Sequence, residues 1–248
     1  MTFNAYLFDL YGTLVDIRTD ESALALWRDL AAYMASRGAV WEAETLHFSY
    51  LAQVQAREHA MQSANPRPSF CPEIDLADVF RSLYAEKGVA ADMHCVAETA
   101  WHFRRTSTKH IRLYAGAKAL LAACKRRGRV ILLSNAQSLF TVPELWMLGI
   151  RDVFDAIFIS SECGMKKPDP QFFRMAAERF SLDPSRCLMI GNDPDCDVIG
   201  AMHAGFAACY IHSNISPQNA PPACEGAAYN LSRMDLKRLQ TMLFPKRR

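Results

Sequence analysis

The sequence predicts an α/β fold: a Rossmann-like, doubly wound parallel sheet with an α-helical domain inserted after its first strand. Three observations predict it. First, short apolar runs recur along the chain: Tyr6-Leu7-Phe8, Val130-Ile131-Leu132-Leu133, Ala156-Ile157-Phe158-Ile159, Cys187-Leu188-Met189-Ile190 and Ala208-Cys209-Tyr210-Ile211. Each is too short for a helix and ends in polar or turn-forming residues, as a buried strand does. Second, helical patterns separate these runs in the second half, and that alternation implies right-handed crossovers and a sheet covered on both faces. Third, the strand-like runs vanish between about Asp20 and Thr106, where the spacing of apolar residues is helical.

Taken in order, the first run is interrupted by Asp9 and turned by Gly12-Thr13. Leu24, Trp27, Leu30, Ala31 and Met34 then fall on one helical face, with Gly38 as a stop. A second helix is expected from about 41 to 61. The stretch Asn65-Pro66-Arg67-Pro68 reads as a loop, and residues 74–87 and 93–104 as two more helices. After Tyr114-Ala115-Gly116 a helix over 117–127 is expected to close on Gly128 in the left-handed conformation. Helices are also expected over 172–180 and 198–203, the last stopped by Gly205. The implied division is a core of residues 1–17 and 107–248 around a helical unit of 18–106. No internal repeat or low-complexity segment interrupts it.

Composition excludes several classes of function. A chain of 248 residues suits one α/β domain carrying a smaller one. Its net charge of +2 gives no global field for nucleic acid or an acidic membrane surface. The run Lys125-Arg126-Arg127-Gly128-Arg129 places cations at a helix C-terminus, where the dipole favours them, and Pro245-Lys246-Arg247-Arg248 reads as a frayed, solvated tail. No apolar run approaches the ~20 residues that span a bilayer. The opening Met1-Thr2-Phe3-Asn4 lacks a basic, then apolar, leader, so a cytoplasmic location is expected. Eight scattered cysteines, without a C-x-x-C pair, read as reduced thiols and not as a zinc site. The seven histidines suggest no triad, and Trp27, Trp41, Trp101 and Trp146 read as packing anchors.

Ligands of open parallel sheets bind at the carboxyl ends of the strands. There the sequence places Asp9-Leu10-Tyr11-Gly12-Thr13, then Ser134-Asn135, then Lys166-Lys167-Pro168-Asp169-Pro170, and lastly Gly191-Asn192-Asp193-Pro194-Asp195-Cys196-Asp197. A carboxylate, a hydroxyl with an amide, a lysine and an acidic string would converge on a small anionic substrate. These four strings, in this order, resemble the haloacid dehalogenase (HAD) superfamily, and the helical unit resembles its C1-type cap.

The resemblance implies a role for each residue. Asp9 is the expected nucleophile, forming a covalent aspartyl intermediate that divides one difficult step into two. Thr13 would orient the Asp9 loop, Ser134 and the amides around Asn135 would hold substrate oxygens, and Lys167 would neutralise the substrate together with Asp9. Asp9, the Tyr11 carbonyl, Asn192 and Asp197 would hold Mg²⁺, a hard cation that prefers oxygen. Monomer and homodimer are equally compatible with the sequence.

Two departures divide the functional expectation. The superfamily's phosphatases carry a general acid–base aspartate two residues after the nucleophile, where this chain has Tyr11. The L-2-haloacid dehalogenases share the Asp-x-Tyr-Gly-Thr arrangement, and their halide leaves without a proton. Against that, dehalogenases lack the acidic string Asp193, Asp195, Asp197. They also grip their substrate with a cap arginine, where Trp41-Glu42-Ala43-Glu44, ahead of Phe48 and Tyr50, offers glutamates. A Mg²⁺-dependent phosphatase acting on a small phosphomonoester is the expectation. A C–halogen hydrolase and a weakly catalytic ligand-binding protein are the alternatives. Arg18, His47, Tyr50 and Arg57 are the cap's candidates for specificity.

Overall fold

The computed structural model describes residues 3–245, so the basic tail at 246–248 lies outside the described residues. β1 (Ala5–Phe8) leads into a hairpin strand, β2 (Val15–Thr19), and then four helices: α1 (Leu24–Ala35), α2 (Ala43–Ala64), α3 (Leu76–Ala85) and α4 (Met93–Ser107). The chain returns through β3 (Thr108–Leu113) to α5 (Ala117–Lys125), β4 (Arg129–Ser134), α6 (Ser138–Met147), β5 (Ala156–Ile159) and a single turn, α7 (Ser160–Cys163). It ends with α8 (Pro170–Arg179), β6 (Cys187–Gly191), α9 (Gly200–His203), β7 (Ala207–Ile211), β8 (Tyr229–Leu231) and α10 (Leu236–Leu243).

Six strands form one parallel sheet in the order β5-β4-β1-β6-β7-β8. Phe8 at the end of β1 lies level with Leu132 of β4 and Ile190 of β6. The strand order runs outward in both directions from β1, so the crevice beyond its carboxyl end is the switch point where ligands bind in such sheets. Strand residues alternate between two buried faces. Tyr6, Phe8, Leu132 and Ile190 pack with Leu120, Leu121, Leu236 and Leu239 of α5 and α10. Leu7, Ile131, Leu133 and Met189 pack with Phe172, Phe173 and Ala201 of α8 and α9. Burial on both sides explains why these strands are apolar at every position.

The helices α1 to α4 bury a core of their own. Trp27, Leu30, Leu46, Tyr50, Phe80, Leu83 and Phe103 form it, joined by Phe140 from α6. His47 stacks on Trp27 with ring centroids 4.3 Å apart. Polar contacts fasten this unit to the sheet domain. Arg67 grips the fully buried Asp169 at 2.6 and 3.2 Å, and the Gln137 side chain accepts from Leu76 N at 2.9 Å and donates to the Ile74 carbonyl at 2.9 Å.

The structure departs from the sequence reading at several points. β2 and β3 pair as an antiparallel hairpin, Val15 opposite Leu113 and Ile17 opposite Ile111, at the two crossings into the helical unit. Its alternating pattern is short and its partner strand is distant in sequence. Asp16, 4% exposed, accepts from Asn214 at 2.9 Å and from Arg112 at 2.7 and 2.9 Å. The hydrogen bond from Asn214, with Arg112 and His110 adding to it, holds its carboxyl down at about 2. α6, β8 and α10 were not expected; α6 carries Pro143 inside it, which reads as a break. Trp146 is no packing anchor, being 57% exposed. Among the described residues, no helix is long and apolar enough to cross a membrane.

Gly128 is a further correction. It is absent from the left-handed residues. Its requirement is closeness: a Cβ there would lie 2.2 Å from the Asn4 carbonyl oxygen, where β4 starts beside β1. Gly128→Ala is therefore expected to cost about 1–3 kcal/mol through forced separation of the two backbones. Urea unfolding checks this, and an unchanged midpoint would contradict it.

Candidate active site

β1 carries its pairing one residue past its end, since Asp9 N donates to the Ile190 carbonyl at 3.0 Å. This fixes the Asp9 backbone between β4 and β6 and aims its side chain into the crevice. The carboxylate is nearly buried, at 6% exposed. Oδ1 accepts from Lys167 Nζ at 2.9 Å and from Ser134 Oγ at 3.3 Å, and Oδ2 accepts from Thr13 Oγ1 at 3.3 Å. Lys167 also donates to Asp197 Oδ1 at 2.7 Å. Asp197 Oδ2 accepts from the N–H groups of Asn192 and Asp193, each at 3.0 Å. A buried ammonium is tolerable only when paired and hydrogen-bonded in this way.

Burial works against the charge on Lys167, but the carboxylates of Asp197 and Asp9 more than offset it and hold the ammonium protonated well above its ordinary range. Burial likewise pushes the Asp197 carboxyl up, while Lys167 pulls it down. The short contacts to Lys167 and two amides favour the ionised form of Asp197 in the assembled site.

The remaining predicted residues gather at the same place, with some in unexpected employment. Asn135 does not turn its side chain to the cleft. Its Nδ2 donates to the Lys167 carbonyl at 2.9 Å and its Oδ1 accepts from Lys167 N at 2.8 Å, a two-point clamp on the lysine's backbone. Asn192 Oδ1 accepts from Thr13 Oγ1 at 3.2 Å, and its Nδ2 donates to Ser216 Oγ at 3.4 Å, which fixes which end of the amide faces Asp9. Gly12, at φ 85°, lets this happen: a Cβ there would meet the Asn192 amide at 2.4–2.7 Å. Asp193 caps the wide turn Pro194–Ile199, accepting from the N–H groups of Asp195 and Cys196 at 2.9 Å each.

Tyr11 is the largest surprise. Its phenol donates to Glu144 Oε2 and lies 3.1 Å from Thr141 Oγ1, both on α6. Glu144, 2% exposed, is gripped in turn by Arg104 of α4, Nε to Oε1 at 2.7 Å. The Arg104 guanidinium also lies over the rings of Tyr11 and Phe140. Burial, and then the negative charge of Glu144, push the Tyr11 phenol far up from its ordinary value. The Arg104–Glu144–Tyr11 chain thus ties the Asp9–Thr13 loop, the sheet domain and the helical unit together. No motif announces it, because Glu144 and Arg104 stand in unrelated segments.

Two adjoining chambers result. A cleft of about 260 Å³ is lined by Asp9, Asn135, Lys167, Asn192, Asp193 and Cys196 among others. A second, of about 290 Å³, lies between the domains, with Glu21, Leu76, Arg104, Gln137 and Phe140 in its walls. Tyr11 and Asn135 belong to both. The four specificity candidates lie elsewhere. Arg18 is exposed on β2, His47 stacks on Trp27, Tyr50 is in the helical core, and Arg57 bonds Gln53 and Ser82 within the helical unit. Glu42 and Glu44 are exposed. Lys166 does not enter the ion pairs; its N–H donates to the Cys71 carbonyl.

Among the described residues, no three His, Cys, Asp or Glu side chains converge as a metal site. A cation would therefore rest on mixed oxygens. The Gly12 N–H and the Leu10 carbonyl make the turn's bonds to Val15, which leaves the Tyr11 carbonyl out of that pairing. Asp197 accepts from three donors, one on Oδ1 and two on Oδ2, so as placed it steadies Lys167.

The family follows from this arrangement and from comparison with known proteins. The model for haloacid dehalogenase-like hydrolases matches residues 3–205, and the chain belongs to that family. It is a hydrolase. It is 35% identical over 142 residues to a phosphoserine phosphatase of Thermus thermophilus, covering 57% of this chain and 56% of that one. It is 25% identical over 211 residues to an (S)-2-haloacid dehalogenase of a Pseudomonas species, covering 83% and 81%. The chain spans about half the length of the first curated relatives it matches. Its fold is that of a 2-haloacid dehalogenase from Pseudomonas syringae, with a TM-score of 0.61 and 20% identity over 93% of this chain and 96% of that one.

Breaking a buried ion pair from one side costs about 3–5 kcal/mol, because the partner charge stays buried. Glu144→Ala is expected to lose stability on that scale, measured by denaturant unfolding. A loss below about 1 kcal/mol, the scale of an exposed pair, would show that the cluster is not holding the domains together.

Proposed function

We propose that the chain is a Mg²⁺-dependent phosphatase that acts on a small phosphorylated substrate through a covalent intermediate on Asp9. One observation carries the reading: Asp9 and Asn192 Oδ1 face the same hydroxyl, Thr13 Oγ1, with Lys167 beside them, in a polar cleft whose lining holds no arginine. Haloacid chemistry would want a cation for the substrate carboxylate. Arg104, in the wall of the adjoining chamber, is bound to Glu144 instead. The phosphoserine phosphatase relative supports the same reading.

The donors fit Mg²⁺ in kind: a carboxylate oxygen of Asp9, the Tyr11 carbonyl and the Asn192 amide oxygen, all hard ligands. They bring a single formal charge, which makes for modest affinity. Bound there, Mg²⁺ would neutralise phosphoryl charge beside Asp9. Without such help a phosphoryl charge near Asp9 would meet repulsion of about 4 kcal/mol at ~4 Å and an effective dielectric constant of ~20.

The chain's own groups do the rest. Lys167 holds the Asp9 carboxylate in line through its hydrogen bond at 2.9 Å, and faces the anionic substrate with its remaining proton. Thr13 and Ser134 fix the carboxylate's rotation by donating to opposite oxygens. Asp9 attacks phosphorus and the bond to the leaving group breaks. Water then attacks the phosphorus of the aspartyl phosphate, and Asp9 departs as carboxylate.

The test is release of phosphate from an aryl phosphate with Mg²⁺ and with EDTA, beside release of halide from 2-chloropropionate. Magnesium-dependent phosphate release, abolished in a folded Asp9→Asn variant, is the expected result. Metal-independent halide release would overturn the phosphatase assignment. The dehalogenase reading has one observation in its favour, the Tyr11 phenol whose proton is directed to Glu144, since a halide needs none.

A further inference from the structure

Resting on the phosphatase reading, we infer a narrower substrate class: phosphoryl compounds whose leaving group is stable as an anion. Acyl phosphates, enol phosphates and phosphoanhydrides belong to it; alkyl phosphates do not.

Expelling an alkoxide is slow unless an acid protonates it as the bond breaks, and a positioned acid is worth about 10²–10⁴-fold. In this site the hydroxyl and phenol protons are held in hydrogen bonds. The Tyr11 phenol donates to Glu144, away from the cleft, and Arg104 holds Glu144 in place to receive it. Ser134 donates to Asp9, and Thr13 lies between Asp9 and Asn192. The Asn135 amide donates to the Lys167 carbonyl. Lys167 donates to two carboxylates, Asp9 at 2.9 Å and Asp197 at 2.7 Å. Asp193 and Asp197 accept backbone N–H groups with their carboxylates. Among the described residues lining the cleft, the hydrogens left over are the third of the Lys167 ammonium, one on each of the Asn135 and Asn192 amides, which are not acids, and the weak thiol donor of Cys196.

The step then balances without an acid. An Asp9 oxygen–phosphorus bond forms and the phosphorus–oxygen bond to the leaving group breaks. The leaving group carries off the electron pair as an anion and takes any proton from bulk water afterwards. With its phenol bound to Glu144, Tyr11 serves the hydrolytic half-reaction as little as the first, and the aspartyl phosphate accumulates when the first step is fast.

The experiment is kcat/KM across substituted phenyl phosphates and one alkyl phosphate, with Mg²⁺, against the leaving group's acidity. This parameter reports the first chemical step. A steep fall with rising leaving-group pKa is expected, together with a burst of phenolate equal to enzyme for the most acidic members. Tyr11→Phe and Glu21→Gln, whatever their absolute rates, keep the slope. Tyr11→Asp, where it folds, narrows the spread by about 10²-fold or more. A flat dependence in the unmodified protein overturns the inference while leaving the phosphatase reading intact. So does a Phe or Gln variant that slows only poor leaving groups, since that residue is then the acid. Phosphate release from no member of the series overturns the phosphatase reading itself.

Discussion

The ammonium of Lys167 sits 1% exposed between two carboxylates, and the catalytic end of the molecule is arranged around that burial. An unpaired charge in such a place is unaffordable, so Asp9 and Asp197 must both be present and both be aimed. Asp9 is aimed by the continuation of β1 pairing into Ile190, and Asp197 by the wide turn after β6, whose amides hold its second oxygen. The lysine's own backbone is clamped by Asn135 from the end of β4. Three neighbouring parallel strands thus converge on one cation, and the sheet's switch point becomes a site.

A second buried cation organises the other boundary. Arg104 brings the last turn of α4 onto Glu144 of α6, and Glu144 takes the phenol of Tyr11. The same residue whose carbonyl is offered to the cleft is therefore moored, through its side chain, to the joint between the domains. The Asp9 loop and the helical unit are thereby joined through one side chain. On the proposed reading, a structural tie stands where an acid–base group would, and the chemistry is confined to leaving groups that depart unaided.

Much of this was legible in the sequence, and the illegible parts share a cause. β1, β4, β6 and β7 stood out because burial on both faces gives them continuous apolar runs, and the edge strand β5 because its run is apolar too. Asp9, Ser134 and Asn192 stood out because they sit at the carboxyl ends of those strands, and Thr13 and Lys167 because they lie in the loops that follow. The hairpin of β2 and β3 did not, since it is only partly buried and its partner is remote. Glu144 was hidden in a helix that Pro143 made look broken. The directions of the Tyr11 and Asn135 side chains were unreadable, because sequence gives a residue's place on a loop and not the partner its polar atoms find. Gly128 shows the same limit: a glycine kept for closeness to Asn4 looks identical to one kept for a turn.

On the proposed reading, Asp9 takes the phosphoryl group onto its own carboxylate. Acid quenching during turnover of an activated aryl phosphate with Mg²⁺, followed by mass spectrometry of the peptides, tests it most directly. The account predicts the mass of one phosphoryl group on the peptide bearing Asp9, absent in Asp9→Asn. Turnover with that peptide unmodified, or with the label on another residue, would contradict it.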